Sequence, residues 1–134
     1  MESDIVVAGY DAVYAAMPRS PTLRHLWRRR VAGRDFPEEF EHFSFITITQ
    51  LRRMAGDLGL MPGQTLLDLG CGMGGPALWM TRETGCRLIG IDASPMAIAQ
   101  ATARASQLGL AKLANFRLGT FAATGLQTTS QTPR

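Results

Sequence analysis

The chain has 134 residues, of which 46% are hydrophobic and 19% charged. This balance is typical of one globular domain and excludes a disordered or low-complexity chain. The net charge is +3, but residues 1–64 hold eight basic and eight acidic residues, so the dense basic run at residues 28–30 lies in a neutral half. No aromatic residues interleave with that run, and we therefore do not expect nucleic-acid binding.

The cysteines, histidines and chain start also limit the class of protein. Cys71 and Cys86 are too few for a disulfide scaffold and are expected to be free thiols in a reducing compartment. The start of the chain is acidic where a signal peptide is basic, and no apolar run approaches the ~20 residues of a membrane span. We predict a cytoplasmic protein that does not enter membranes. The cysteines, with His25 and His42, form no metal-ligand spacing, so no metal site is predicted.

Residues 1–64 are predicted to form a helical N-terminal extension. Apolar residues recur at helical spacing over residues 4–17, 20–33 and 47–58, with prolines and glycines at the boundaries. Residues 36–45 are aromatic and acidic, and His42 among them is interpreted as a partly exposed loop residue. The predicted apolar faces are Val6, Tyr10, Val13, Tyr14 and Met17; then Leu23, Leu26, Trp27 and Val31; then Ile48, Leu51, Met54 and Leu58.

From residue 65 short apolar strands alternate with helices. Strands are predicted at residues 65–69, 87–92 and 115–118, and the intervening helices at 76–84 and 95–108. Crossover helices of this length require parallel strands. The fold class is therefore α/β: a partial Rossmann-like doubly wound parallel sheet over residues 65–121, preceded by the α-helical extension. Residues 122–134 are predicted to be a disordered polar tail.

A glycine-rich segment, residues 68–75, joins the first strand to its helix. Glycines allow a tight turn and let a ligand approach the backbone, while the helix N-terminus offers unpaired N–H groups to an anion. Gly70, Gly72 and Gly75 satisfy the dinucleotide pattern G-x-G-x-x-G. Gly70, Gly72 and Gly74 equally satisfy the G-x-G-x-G pattern of S-adenosylmethionine sites. The loop alone leaves both alternatives open.

Two acidic residues accompany the loop. Asp92 ends the second strand, where an acid can accept hydrogen bonds from ribose hydroxyls in both families; alternatively it serves helix entry, because Ser94 follows it. Asp68 stands two residues before Gly70. Its charge would repel a pyrophosphate and attract the ammonium of S-adenosylmethionine, although a turn-capping role is the alternative. Asp68 therefore favours S-adenosylmethionine.

Residues 66–77, LLDLGCGMGGPA, resemble motif I of the class I S-adenosylmethionine-dependent methyltransferases. Residues 88–94, LIGIDAS, resemble the second motif of that family. The glycine–glycine–proline ending of motif I resembles the small-molecule branch, which includes sterol, ubiquinone-type and natural-product enzymes. The resemblance covers roughly residues 65–121 and implies S-adenosylmethionine as cofactor and a small molecule as methyl acceptor. It also implies that the helical extension, residues 1–64, is a cap or lid that covers the substrate.

The resemblance also implies a set of cofactor-binding residues. Met96 would lie against the adenine, with ordinary helix packing as the alternative, and Cys71 would pack within the loop. Thr120 stands where the family usually has an acid that binds the adenine amino group, so a neutral hydrogen bond would replace a charge-assisted one. The predicted cofactor-binding residues are Asp68, Gly70, Cys71, Gly72, Gly74, Asp92, Ala93, Met96 and Thr120.

Members of this family continue through further strands that line the reaction cleft. The chain is therefore expected to be truncated after the third strand and to supply the cofactor-binding half, and no catalytic residue is nominated. The first strand would then be an apolar edge open to self-association or to a partner chain. The predicted function is methyl transfer to a small molecule; the alternatives are a non-catalytic remnant and a dinucleotide-binding module.

Overall fold

A computed structural model describes residues 2–27, 29–30, 35 and 44–127 of the chain. Residues 31, 33, 36–43 and 128–134, which carry several of the predictions above, including the one for His42, lie outside this description. The helices are α1 (Glu2–Ala16), α2 (Pro21–Trp27), α3 (Ile48–Asp57), α4 (Gly75–Thr84) and α5 (Pro95–Gln107), and a 3-10 turn, Met17–Arg19, follows α1. The strands are β1 (Thr65–Leu69), β2 (Arg87–Asp92) and β3 (Ala114–Leu118).

The three strands form one parallel sheet in the order β1-β2-β3. β2 is central, with Asp68 of β1 opposite Gly90, and Gly90 opposite Phe116 of β3. The carboxyl ends of the strands therefore meet at one edge of the sheet, where Leu69, Asp92 and Leu118 end them. The predicted α/β class with parallel strands and a helical N-terminal region is confirmed.

Local hydrogen bonds explain where the helices begin. Thr47 and Gln50 form a capping box before α3, in which each side chain accepts the backbone N–H of the other residue, at 3.2 and 2.9 Å. Ser94 caps α5 by accepting the Ala97 N–H at 3.0 Å. These caps satisfy N–H groups that a helix cannot pair internally, so the sequence signals and the structure agree.

The hydrophobic core lies between α3, α4 and the sheet. Leu51, Leu78 and Leu88 are fully buried and belong to one hydrophobic cluster. Trp79 belongs to the same cluster, and the Arg52 guanidinium lies over its ring, 5.8 Å from the centroid. Small side chains such as Ala105 let α5 approach the sheet closely. This packing holds the strands in place, and the cavities described below lie at their carboxyl ends.

The predicted apolar faces of the N-terminal helices are only partly buried. Met17 is buried, but Val6, Tyr10 and Val13 of α1 and Leu23 and Leu26 of α2 are exposed. In α3, Leu51 is buried with Ala55, whereas the predicted Met54 and Leu58 are exposed. Helical spacing marks an apolar face correctly, but it does not determine whether protein covers that face. Across the described ranges, no helix is sufficiently long and apolar to cross a membrane.

Candidate functional site

The glycine loop after β1 is held in a conformation that requires glycine. Gly70, Gly72 and Gly74 have φ values of 77°, 52° and 79°, which side chains disfavour. The N–H groups of Gly70 and Cys71 both donate to the Ile91 carbonyl of β2, at 2.7 and 3.0 Å. The loop is therefore anchored to the central strand.

Asp92 anchors the same loop through its side chain. One carboxylate oxygen accepts the Gly72 N–H at 2.8 Å, and the other accepts the Ser94 N–H at 2.9 Å. A carboxylate oxygen has two lone pairs, so each oxygen keeps capacity for a ligand hydroxyl. The two interpretations that the sequence left open, helix entry and ligand binding, are compatible in this geometry.

Asp68 lies on the other side of the loop and is half-buried. Burial raises the pKa of its carboxyl above the usual value, and the negative charge of Asp92 raises it further. Within the described part of the chain, its side chain has no hydrogen-bond donor as a partner. An ionised Asp68 is consequently under-compensated, and a cation beside it would be stabilised.

Two cavities open at the carboxyl edge of the sheet. The larger, of about 460 Å³, lies between α1 and the strand ends; the smaller, of about 290 Å³, lies over the glycine loop. Tyr14 and Gly70 line both cavities, so the two adjoin. The larger is lined by Val6, Val7, Tyr10, Tyr14, Gly70, Ile91, Asp92, Ala93, Ser94, Gly119, Thr120 and Phe121. The smaller is lined by Tyr14, Ser44, Ile46, Asp68, Gly70, Cys71, Gly72, Met73, Gly74, Gly75 and Pro76.

Tyr14 lines both cavities. Its hydroxyl approaches the glycine loop so closely that a Cβ at Gly72 would lie 2.9 Å from it. Burial raises the pKa of the Tyr14 phenol to about 12, and the charge of Asp92 adds to the effect. The phenol is therefore neutral at ordinary pH. Sequence reasoning placed Tyr14 on an apolar helix face and missed this role, because core-facing and cavity-facing residues have the same spacing.

Cys71 is a packing residue of the loop. It is only 6% exposed, and a Cβ at Gly90 would lie 3.0 Å from its sulfur. Burial raises the pKa of its thiol to about 12, with further contributions from the charges of Asp68 and Asp92. A thiol in this environment stays protonated, so it does not provide a nucleophile. Both Cys71 and Cys86 are free and buried.

The remaining predicted residues differ in position. Ala93 and Thr120 line the larger cavity, and the Thr120 hydroxyl accepts the Ala123 N–H at 3.1 Å, which leaves its own proton available. Met96 lines neither cavity, is 39% exposed, and its N–H donates to Asp11. The contact of Met96 with adenine stays a prediction.

The larger cavity also contains residues that no motif marked. Phe121, 75% exposed, approaches the position that a Cβ on Gly70 would occupy to 3.6 Å. Val6, Val7 and Tyr10 reach the cavity from α1, far from the loop in sequence. Among the residues that the structure describes, no group of three or more histidines, cysteines or acids is placed to hold a metal ion.

Comparison with known proteins identifies the family. Residues 66–131 match the family described as "Methyltransferase domain". The sheet aligns with a crystal structure of a methyltransferase from Geobacter sulfurreducens in complex with S-adenosyl-L-homocysteine, at 36% identity and a TM-score of 0.52, covering 63% of this chain and 37% of that one. These matches support a class I S-adenosylmethionine-dependent methyltransferase. Its family cofactor is S-adenosylmethionine, as the glycine loop and Asp68 predicted.

Two curated relatives of this methyltransferase chain act on small molecules, judging from their names. Sterol 24-C-methyltransferase of Schizosaccharomyces pombe is 38% identical over 68 residues, which cover 51% of this chain and 18% of the relative. (+)-O-methylkolavelool synthase of Herpetosiphon aurantiacus is 32% identical over 106 residues, covering 76% of this chain and 37% of the relative. The chain thus spans well under half the length of either relative.

Proposed function

We propose that the chain binds S-adenosylmethionine across the two adjoining cavities and supplies the cofactor-binding half of a small-molecule methyltransferase. The observation that carries this proposal is the placement of the two acids. Asp92 lies at the larger cavity and Asp68 at the smaller, and the cavities meet at Gly70. A ligand that spans them presents hydroxyls to one carboxylate and a cation to the other.

The larger cavity suits the adenosine. Val6, Ile91 and Phe121 give it apolar walls for a flat base, while the Asp92 carboxylate has free lone pairs for the ribose hydroxyls. The Thr120 hydroxyl can donate to a base nitrogen, because its bond with Ala123 uses only its acceptor capacity. Ala93 and Thr120, which line this cavity, are proposed as part of the cofactor site.

The smaller cavity suits the amino acid end of the cofactor. An ammonium beside Asp68 would relieve the charge that burial destabilises there. The carboxylate of the same ligand would face the N-terminus of α4 at Gly75, where backbone N–H groups and the helix dipole favour an anion. Opposite charges of the ligand thus meet opposite charges of the protein.

The proposed chemistry is direct transfer of the cofactor's methyl group, whose bond to sulfur breaks as the acceptor atom bonds to the methyl carbon. The chain's own residues contribute by orientation: Asp92 would hold the ribose, Asp68 would hold the ammonium, and Tyr14 would line the passage between them. Alignment of two reactants can account for a large part of such a rate enhancement. A small-molecule acceptor is supported by the names of the sterol and kolavelool relatives.

Titration calorimetry with S-adenosylhomocysteine tests the proposal. The full chain is expected to bind in the micromolar range, and Asp92→Ala is expected to abolish binding. Asp57→Ala, which removes an exposed carboxylate on α3, is the charge-matched control and should bind like the wild type. A folded wild-type chain that does not bind S-adenosylhomocysteine would support the non-catalytic alternative. Binding of NAD in preference to S-adenosylhomocysteine would support the dinucleotide-binding alternative.

We further propose that β1 pairs with another strand, from a second copy or from a partner chain. Leu67 and Leu69 of β1 are 46% and 41% exposed, which is high for apolar residues of a parallel strand. β1 also lies at the edge of the described sheet, with β2 on one side only. Unpaired backbone groups beside exposed leucines favour association.

A further inference from the structure

Helix α1 is attached to α5 through a carboxylate. One oxygen of Asp11 accepts hydrogen bonds from the Ser94 hydroxyl and from the Met96 N–H, the latter at 3.3 Å. These donors belong to the first turn of α5, where a negative charge is favourable. A second contact lies further along the same helices, where the Gln100 side-chain amide donates to the Tyr14 carbonyl at 2.7 Å.

The Asp11 contact continues into the cofactor site. The Ser94 hydroxyl that binds Asp11 also caps α5, and the Ser94 N–H donates to Asp92. The other oxygen of Asp92 binds Gly72 in the glycine loop. A continuous chain of hydrogen bonds therefore leads from α1 to the loop, although Asp11 itself lines neither cavity.

Several apolar side chains of α1 are exposed in the described part of the chain. Val6, Tyr10 and Val13 are exposed, and Val6, Val7 and Tyr10 line the larger cavity. The polar contacts with α5 therefore contribute to the position of α1, together with the half-buried Tyr14. A ligand in the larger cavity would bury apolar surface of α1 and add to the free energy that docks the helix.

We infer that Asp11 is a positioning residue that latches α1 over the cofactor and makes helix docking and cofactor binding mutually dependent. This inference rests on the proposed function. Asp11 does not touch the ligand; it acts through Ser94 and through the placement of Tyr10 and Tyr14. Linkage then requires that loosening the latch weakens binding and that binding tightens the latch.

Hydrogen exchange of the amides of α1, combined with calorimetry, tests the latch. In Asp11→Ala the amides of α1 should exchange faster than in the wild type, while those of β2 and α4 keep their protection. The same variant should bind S-adenosylhomocysteine about tenfold more weakly, since it loses two hydrogen bonds to a charged group. Asp11→Asn, whose amide oxygen can accept the same two bonds, should recover most of both losses. Asp57→Ala is the control.

The outcomes separate this inference from the proposed function. If the wild type fails to bind S-adenosylhomocysteine but Asp11→Ala still loosens α1, Asp11 docks the helix, while the proposed function and the coupling to the cofactor both fail. If the wild type binds and Asp11→Ala matches Asp57→Ala in both measurements, the latch is overturned. If Asp11→Ala lowers the protection of amides throughout the chain, the variant has lost stability as a whole and Gln100→Ala is measured in its place. Gln100→Ala removes the hydrogen bond to the Tyr14 carbonyl and leaves the first turn of α5 unaltered. Faster exchange of α1 with weaker binding supports the coupling; wild-type values reject it.

Discussion

The Asp92 carboxylate accepts the Gly72 N–H at 2.8 Å and so joins the end of β2 to the glycine loop that follows β1. The residue assigned to ligand binding is thus also a brace for the loop that surrounds the ligand. The Ser94 N–H occupies the second oxygen at 2.9 Å and orients the carboxylate towards the larger cavity. Changes at Asp92 should therefore affect stability and binding together.

Asp92→Asn tests this double role. An amide has only one acceptor atom, so its NH2 group must face either the Gly72 N–H or the Ser94 N–H, and one bond is lost. We expect the free energy of unfolding to fall by about 1–3 kcal/mol, as for a buried donor left unpaired. Denaturant titration measures the stability and calorimetry the affinity for S-adenosylhomocysteine. Unchanged stability with lost affinity would show that Asp92 binds ligand without bracing the loop.

Asp68→Asn should stabilise the folded chain and weaken its binding of S-adenosylhomocysteine. The raised pKa of Asp68 means that its ionised form is disfavoured in the folded chain, so its contribution is favourable below the ordinary pKa and is lost as pH rises through the folded value. The neutral amide removes this cost, and the melting temperature at pH 7 should rise. Affinity for S-adenosylhomocysteine should fall about tenfold, because the charge-assisted bond to the ammonium is lost. A variant that binds as well as the wild type would contradict the assignment.

Tyr14 is expected to act through its ring. Tyr14→Phe keeps the aromatic ring that lines both cavities and should bind S-adenosylhomocysteine within about twofold of the wild type, whereas Tyr14→Ala removes the ring and should bind about tenfold more weakly. The measurement is calorimetry at pH 7, where the wild-type phenol, with a pKa of about 12, is neutral. A large loss in Tyr14→Phe would instead assign the hydroxyl a direct contact with the ligand.

The raised pKa of the Cys71 thiol predicts how the free energy of unfolding changes at alkaline pH. Its thiol pKa rises from the ordinary 9.0 to about 12 in the folded chain. Below pH 9 the thiol is neutral in both states; between pH 9 and 12 the unfolded chain ionises first, so stability is lost as pH rises. At pH 10 the loss should be about 1 kcal/mol greater in the wild type than in Cys71→Ala. Identical pH profiles in denaturant titrations would show that the thiol is not shielded, as would rapid alkylation by iodoacetamide.

Leu67 provides the test of association through β1. Leu67→Lys places a charge on the exposed face of this edge strand, which natural sheets use to prevent pairing. Sedimentation velocity over a concentration series should show association in the wild type and a monomer in the variant. Leu58→Lys, at an exposed leucine beyond α3, is the matched control. A wild-type chain that stays monomeric throughout would contradict pairing between two copies of this chain.

Much of the fold follows from local signals. The strand–helix alternation after residue 65 corresponds to β1, α4, β2, α5 and β3, and the caps at Thr47 and Ser94 begin their helices as their types imply. Those signals act over a few residues, where hydrogen bonds and φ preferences depend on the sequence alone. Burial of the N-terminal helices was predicted less well, because Met54 and Leu58 have the spacing of core residues without a partner to cover them.

The glycine loop, Asp68 and Asp92 could be identified from the sequence alone, because a ligand with a cation, an anion and hydroxyls requires those groups at fixed distances along a strand–loop–helix unit. Only the tertiary structure showed that Tyr14 lines both cavities and that Asp11 joins α1 to Ser94. Asp11 and Tyr14 are separated from the loop by more than fifty residues, among which lie α2 and α3, and no local pattern encodes which helix packs against which. The chemistry of the glycine loop depends on residues that are adjacent in sequence, whereas the position of α1 depends on packing between residues that are distant in sequence.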